Sequence, residues 1–474
     1  MSFGGSPRDA GAFSCLHPDA LLDRHLGVTP RYHTATAEPG RMRPVTESYS
    51  YAERVRAALP LEDAQWIGLR DAWSALWRSR LLVWAAGLVA LYAAGMAGEP
   101  SSRLDPFWFT TPFDDTLGNA LVAPGARWDS AWFLEIAQFG YADTSRAAFF
   151  PLYPALVSLG GSLGSPLVAG VLISSACSLG ALYLLHRLVA VDFGLEDARA
   201  TVLIVAFFPS ALVLSAVYSE ALFLLLSIGS LYAARLGRWP VAGVVGGLAA
   251  ATRSTGAILI VPLLVFYLCG PRADRPRHGL DHGWRPRHRV APDVVWIALV
   301  PAGLAVYALY LALTTGDPGG AFSAQAEWER IFAPLSGIAL GLWSAVKGVL
   351  ELLPGIGVAP SWFPADQVPA LVAARDVILF GFLVVAVWLT VEASRRLPPP
   401  YVAYAITGLM LPLSVPALDE PLKSLPRFML VLFPLWIALA LWARERGRLR
   451  GVLVGMGALL AISSALFTTW VYPP

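Results

Sequence analysis

Charge is what this sequence has least of. Asp, Glu, Lys and Arg make up 14% of its 474 residues, where a soluble domain carries about 25%. That deficit excludes a soluble enzyme, a disordered chain and a coiled coil. Lysine is nearly missing: Lys347 and Lys423 are the only two. The arginine bias suits a GC-rich, bacterial genome and carries no chemistry. Cys15, Cys177 and Cys269 are too far apart for a metal spacing or a disulfide framework. A net charge of +2 supplies no field for nucleic acid, so no nucleic-acid partner is expected. There is no Walker A string, no dinucleotide-binding glycine fingerprint and no His/Cys metal cluster. His278, His282 and His288 fall in an Arg-rich stretch that reads as a basic loop rather than a metal site. No cofactor and no bound metal are expected.

What is present is apolar: 56% of the chain, with 17 Trp and 22 Phe. Residues 1–60 read as a polar, mostly disordered cytoplasmic tail. Residues 61–79 read as an amphipathic lead-in, with Trp66, Leu69, Trp73 and Trp77 at helical spacing. Together, 1–79 form a tail and 80–474 a multi-pass membrane domain. A span needs about 20 apolar residues. Candidates are 81–98, 166–187, 201–217, 220–236, 239–252, 256–270, 293–313, 377–393, 400–416, 427–443 and 451–470. The expected fold is all-α, a polytopic integral membrane protein with about 11 transmembrane helices, in a range of roughly 10–12.

Positive charge orients the spans. Arg70, Arg78 and Arg80 precede the first. The loop 271–292 carries six arginines, Arg395 and Arg396 form another cluster, and Arg444, Arg446, Arg448 and Arg450 a fourth. All four regions are expected to be cytoplasmic. The connections 99–165 and 314–376, the stretch 417–426 and the C-terminus are then external. This requires 148–164, with Pro151 and Pro154, not to cross; the second topology makes it a full span.

The external segment 99–165 is the most informative. Over Arg127–Phe139, Trp128, Ala131, Trp132, Ile136 and Phe139 share one helical face, which predicts a helix lying on the membrane. Asp129 lies off that face. A carboxylate held at the lipid–water boundary is suited to act as a general base; a plain charge at a helix N-terminus is the competing reading. Glu220 stands between two apolar runs, either as a functional ionisable group or as a boundary charge behind an N-cap Ser219. Arg253 and Arg427, with Lys423 nearby, either snorkel at an outer helix end or hold a phosphate. The loop 314–376, with Trp328, Trp343, Trp362 and Phe363, reads as surface helices over 321–353 that form a lid or a structural cap.

Five strings then carry a resemblance: RWDSAWFLEIAQFGY (127–141), AFFPLYP (148–154), VYSEALF (217–223), ATRSTG (251–256) and SLPRFMLVLFP (424–434). In this order they resemble the PIG-V-type GPI mannosyltransferases, within the GT-C superfamily of polyprenyl-phosphate-sugar-dependent transferases. The resemblance implies a GT-C-like fold with interfacial helices in the first external loop. It implies that Trp128 and Asp129 are the essential Trp-Asp pair, with Asp129 catalytic. Arg127, Trp128, Trp132, Tyr141, Tyr218, Glu220, Arg253, Lys423 and Arg427 are then expected to bind substrate. Members often carry His at the position of Trp132. No Asp-X-Asp pair occurs, since Asp114 and Asp115 are adjacent.

The implied activity is inverting transfer of mannose from polyprenyl-phosphate mannose to a lipid-linked or cell-envelope glycan. The site would face outward from the plasma membrane. Two alternatives stay open: a GT-C transferase using another polyprenyl-phosphate sugar, and a lipid or glycan transporter. A transporter is expected to show paired broken helices and an inverted repeat.

Overall fold

The computed structural model describes residues 61–93, 113, 116–141, 144–275, 283–353 and 368–470. Among these residues the chain is helical, with one isolated antiparallel bridge between Arg330 and Ala417. The expected tail 1–60, Asp114, Asp115, His278, His282, Trp362 and Phe363 lie outside the described residues.

In chain order the helices are α1 (Leu61–Ala93), α2 (Thr116–Leu121), α3 (Ser130–Phe139), α4 (Leu152–Gly161), α5 (Pro166–Asp192) and α6 (Leu195–Phe207). Next come α7 (Glu220–Arg235), α8 (Trp239–Ala250), α9 (Ile260–Cys269), α10 (Leu299–Thr314), α11 (Gly320–Ser323) and α12 (Ser336–Leu352). The last are α13 (Pro369–Arg396), α14 (Pro399–Ser414), α15 (Leu425–Val431), α16 (Phe433–Glu445) and α17 (Leu449–Thr468).

Five helical segments are long and apolar enough to cross a membrane: Asp63–Ala93, Pro166–Asp192, Pro292–Thr314, Pro369–Arg396 and Leu449–Thr468. Two more arise if bent pairs count as single spans. These are Leu195–Phe207 with Pro209–Ser215, turned by 83°, and α15 with α16, turned by 79°. By length and composition, 5 to 7 such segments occur among the described residues. Among the described residues, every predicted apolar segment is mainly helical. Several, such as α8 with 12 residues, are shorter than the about 20 residues that a crossing needs.

Proline makes both bends. Pro209 forces Phe208 out of the helical region (φ −59°, ψ 142°). At the second bend Leu432 leaves the helical region (φ −83°, ψ 65°), and Pro434, two residues on, has no N–H to donate the hydrogen bond that would join α15 to α16. A broken helix leaves carbonyls open. At the first break the buried Arg80 takes them, with Nη1 donating to Ala211 O at 2.6 Å and to Ser215 Oγ at 2.9 Å. Both terminal nitrogens of this buried cation thus find acceptors at the break.

Helix α1 runs unbroken for 33 residues and continues through positions 79 and 80. The lead-in is one turn after another of the same helix, and its inner face (Asp71, Ala72, Ala75, Leu76) is buried. Trp66, Leu69, Trp73 and Trp77 form the exposed face that their spacing predicts. Helix α4 is 10 residues long, about 15 Å, and too short for a hydrocarbon core of about 30 Å. This agrees with 148–164 not crossing.

The polar groups collect at two opposite ends. At one end Asp192 accepts from Arg235 Nε at 2.8 Å and from Tyr401 at 2.6 Å. Arg396 pairs with Glu392 and Glu445, Arg444 with Asp197, and His186 with Asp71. This is the end that the arginine clusters mark. At the other end lie Asp129, Glu220, Arg253 and Arg427. Helix α5 measures the separation. Its Ser174 donates to Tyr218 O at 3.3 Å, and Asp192 is 18 residues further on, about 27 Å.

Candidate functional site

Each charged group of the site is aimed by a helix start. Asp129 immediately precedes α3, after the short turn Ala123–Ala126. It occupies the N-cap position, yet its side chain caps nothing. Instead its Oδ2 accepts from Arg427 Nη1 at 2.6 Å. The helix-end reading of Asp129 therefore does not describe where its carboxylate goes. Ser219 likewise sits at the N-cap of α7 without capping it. Its hydroxyl accepts from Arg253 Nη1 at 3.2 Å.

Glu220 is the hub. It is fully buried, and its Oε1 accepts from Arg427 Nε and Nη2 at 3.0 and 2.8 Å. Arg253 Nη1 reaches the same oxygen at 2.8 Å. Two carboxylates and two guanidiniums thus alternate in one chain, Asp129–Arg427–Glu220–Arg253. A buried carboxylate is tolerated only with such partners.

Tyr218 joins the pieces. Its ring lies under the Arg427 guanidinium at 4.8 Å. Its hydroxyl accepts from Asp129 N at 3.2 Å and donates to Arg127 O at 3.3 Å. The backbone on either side of the Trp-Asp pair is thereby tied to the start of α7. Val217 N adds a bond to Gly125 O at 2.8 Å.

Trp128 has φ 60°, the left-handed region that costs a bulky residue about 1–2 kcal/mol. Trp470 holds it there. The two rings are 5.8 Å apart, and Arg127 stacks on Trp470 at 4.5 Å. Trp470 itself has φ 60° and follows α17. Ser424, just before α15, has φ 64°. Both chain segments that deliver the Asp129–Arg427 pair are thus turned by unusual backbone.

Helix α3 differs from the predicted membrane-surface helix. Ala131, Phe133, Leu134 and Ile136 are buried, while Phe139 is 63% exposed. Most of the helix packs on protein, and Trp132 meets other aromatic rings. It stacks on Phe149 at 5.8 Å and meets Trp328 edge-on at 5.5 Å.

Two expected residues stand apart from the charged chain. Tyr141 donates to Phe149 O at 2.7 Å and packs on Tyr307 and Tyr310. Burial first, and Tyr307 beside it, raise its phenol well above the ordinary value, so it stays protonated and donates. Lys423 is two residues before α15 and pairs with Asp419 at 3.5 Å. Its ammonium is not among the groups around Glu220.

Sequence reasoning missed four residues. Trp470 had no motif to mark it. Glu135 on α3 and Arg146 form a buried ion pair, and Arg146 also donates to Gly140 O at 3.0 Å. Gly140, at φ 67°, ends α3 and lets the chain turn back to bring Arg146 there. An isolated Glu in an apolar helix was the only available signal. Arg330 was also missed. It donates to Val415 O at 3.0 Å and reaches Lys423 O at 3.5 Å.

Comparison with known proteins supplies the relatives of this arrangement. The family profile described as Mannosyltransferase (PIG-V) matches residues 79–271. A GPI mannosyltransferase 2 of Yarrowia lipolytica is 30% identical over 284 residues, covering 60% of this chain and 70% of that protein. This chain belongs to the PIG-V mannosyltransferase family. The GPI alpha-1,6-mannosyltransferase 2 of Rattus norvegicus is 34% identical over 163 residues, 32% of this PIG-V-family chain. The match spans a third of the rat protein's length, 33%. Among solved structures, an Archaeoglobus fulgidus oligosaccharyltransferase tethered to an acceptor peptide aligns with 84% of this chain and 56% of its own, at 13% identity and a TM-score of 0.36. The PIG-V profile spans Arg127, Asp129, Glu220 and Arg253. Arg427, Trp328 and Trp470 come from beyond it.

Proposed function

We propose that this chain is a membrane mannosyltransferase. It moves mannose from polyprenyl-phosphate mannose to a lipid-linked or cell-envelope glycan, at the face of the plasma membrane opposite the arginine clusters. The observation that carries this reading is the Asp129–Arg427–Glu220–Arg253 chain. It puts two carboxylates and two guanidiniums within one hydrogen bond of each other at a single end of the helices, a set suited to a base and a phosphate ligand.

The donor phosphate comes to Arg427, with Arg253 behind it. Glu220 is buried and doubly bonded, whereas Asp129 is 29% exposed. Asp129 is therefore the replaceable partner at Nη1. A phosphate oxygen arriving there hands Asp129 to the acceptor. The acceptor hydroxyl gives its proton to Asp129 as its oxygen attacks the anomeric carbon. The carbon–phosphate-oxygen bond breaks with its electron pair kept by the polyprenyl phosphate. That leaving group gains one negative charge, which the guanidiniums stabilise. It needs no second carboxylate as acid, unlike the alkoxide that a glycosidase expels. Attack from the far face turns a β-linked donor into an α-mannoside. Glu220 and Tyr218 hold Arg427 in place.

Two bent segments are also what a transporter would contain. Here, however, the first bend leads into Tyr218–Glu220 and the second follows Arg427, so both serve the same charged chain. The test is an assay of membranes holding the protein with radiolabelled polyprenyl-phosphate mannose, followed by fractionation of lipid and protein. Label should appear in a glycan-bearing fraction and depend on Asp129. Movement of donor lipid across the membrane with no new mannoside would replace this reading by transport.

A further inference from the structure

Trp132, Phe149 and Trp328 form a three-ring corner. The Trp132 and Phe149 rings are nearly parallel, 12° apart, and Trp328 stands across both at 76° and 78°. All three centroid separations fall between 5.5 and 5.8 Å. Each ring is only half-buried, unlike core aromatics such as Trp436 and Tyr401. A core cluster would close over its faces; this one borders the site.

Its position is set by α3. Trp132 is three residues after Asp129, so the two side chains lie on neighbouring positions of one helix side. Arg427 holds the Asp129 oxygen Oδ2. In an in-line displacement the attacking hydroxyl lies on the face opposite the phosphate. The ring corner is one turn further along α3 from the Arg427 end, where the body of the acceptor must sit. The indole Nε1–H of Trp328 is buried and has no acceptor among the described residues. A donor so placed is costly to leave unmet.

The chain segment that carries Trp328 is braced to the other half of the site. Glu329 O accepts from Leu418 N at 3.0 Å, Ile331 N donates to Pro416 O at 3.2 Å, and Ala333 N to Ser414 O at 2.9 Å. Arg330 reaches Lys423 O, one turn before Arg427. Glu329 is left-handed at φ 55°, which turns the chain out of the short helix ending at Trp328. One segment therefore touches the Asp129 helix through a ring and the Arg427 loop through its backbone.

The structure assigns Trp132, Phe149 and Trp328 as an acceptor-sugar subsite, with Trp328 as its specificity-determining residue. The ligand is a hexopyranoside whose apolar C–H face lies on a ring and one hydroxyl of which takes the Trp328 N–H. Aromatic walls with a few placed polar groups are the usual build of such pockets. This assignment rests on the transferase reading above.

The test uses the full chain in detergent and two readouts. The probe for binding is octyl α-mannopyranoside, followed by intrinsic tryptophan fluorescence. A saturable change is expected in the wild type and in Asp129→Asn. Trp328→Ala should weaken it by about tenfold, and Trp328→Phe should recover part of the loss. The second readout is label transfer from polyprenyl-phosphate mannose. There Trp328→Ala should raise the apparent KM for the acceptor and leave that for the donor unchanged. An equal response to a sugar-free octyl ether, or the same affinity in Trp328→Ala, overturns the subsite. Loss of transfer in the wild type overturns the transferase reading instead, and the two failures are separately visible.

Discussion

Arg427 Nη1 and Asp129 Oδ2 meet at 2.6 Å across 298 positions of sequence. Arg427 lies in the proline-led first turn of α15, and Asp129 stands just before α3. Their bond ties the two ends of the membrane domain into one site. It also makes the proposed base and the proposed phosphate ligand a single unit, so their variants should not behave independently.

Asp129→Asn should abolish transfer while the protein still folds. The change keeps volume and removes the basic oxygen. Loss of a general base costs about 10²–10⁴-fold in rate. The check is turnover with labelled donor beside a thermal unfolding curve; near wild-type turnover would return Asp129 to a purely structural role.

Arg427→Ala should raise the apparent KM for the donor more than for the acceptor. Loss of a charge-assisted hydrogen bond is worth about 1.5–3 kcal/mol, roughly ten- to a hundredfold. Arg427→Lys should recover only part, because an ammonium cannot hold Glu220 and a phosphate with a planar fork. Michaelis constants for both substrates in each variant decide this. An unchanged donor constant would move phosphate binding to Arg253.

Glu220→Gln should cost stability as well as activity. It leaves Arg253 and Arg427 facing each other without the shared anion, and breaking a buried pair in this way costs about 3–5 kcal/mol. The measurement is the melting temperature in detergent. Arg253→Gln combined with Glu220→Gln should regain part of the loss. If the single variant melts like the wild type, the hub is not structural.

Trp470→Ala should lower kcat at little change in either KM, and Trp470→Phe should keep most activity. The ring stacks on Arg127 and faces Trp128, whose left-handed backbone directs Asp129. Trp470 touches no substrate in this account, so it is a positioning residue. A rise in KM with unchanged kcat would contradict that role.

Topology should be N-terminus inside and C-terminus outside. A reporter active only outside, fused after Pro474, should be active; the same reporter inserted near Gly283 should be silent. The reverse pattern would place the Asp129–Arg427 chain on the cytoplasmic face.

The sequence by itself determined the helices and their polarity. Apolar runs of the right length must become helices in a bilayer, because every backbone polar group has to be satisfied within the segment. The arginine clusters marked one end, and five motif strings marked Asp129, Tyr218, Glu220, Arg253 and Arg427 as candidates. Sequence could not tell a site charge from a helix-end charge, because Asp129 and Glu220 do occupy helix starts. Only the tertiary structure decided that their carboxylates turn away from capping and share Arg427. It also decided how α3 sits: Ala131 and Ile136 of its apolar face are buried, while Phe139 stays exposed. Proline breaks at Pro209 and Pro434 shorten helices that composition makes look continuous, and which neighbour covers the open carbonyls is a contact of distant residues such as Arg80 with Ala211. Trp328, Arg330 and Trp470 joined the site through ring and backbone contacts far along the chain. Local spacing carries no record of such contacts, because it encodes which face a side chain takes and not what comes to meet it.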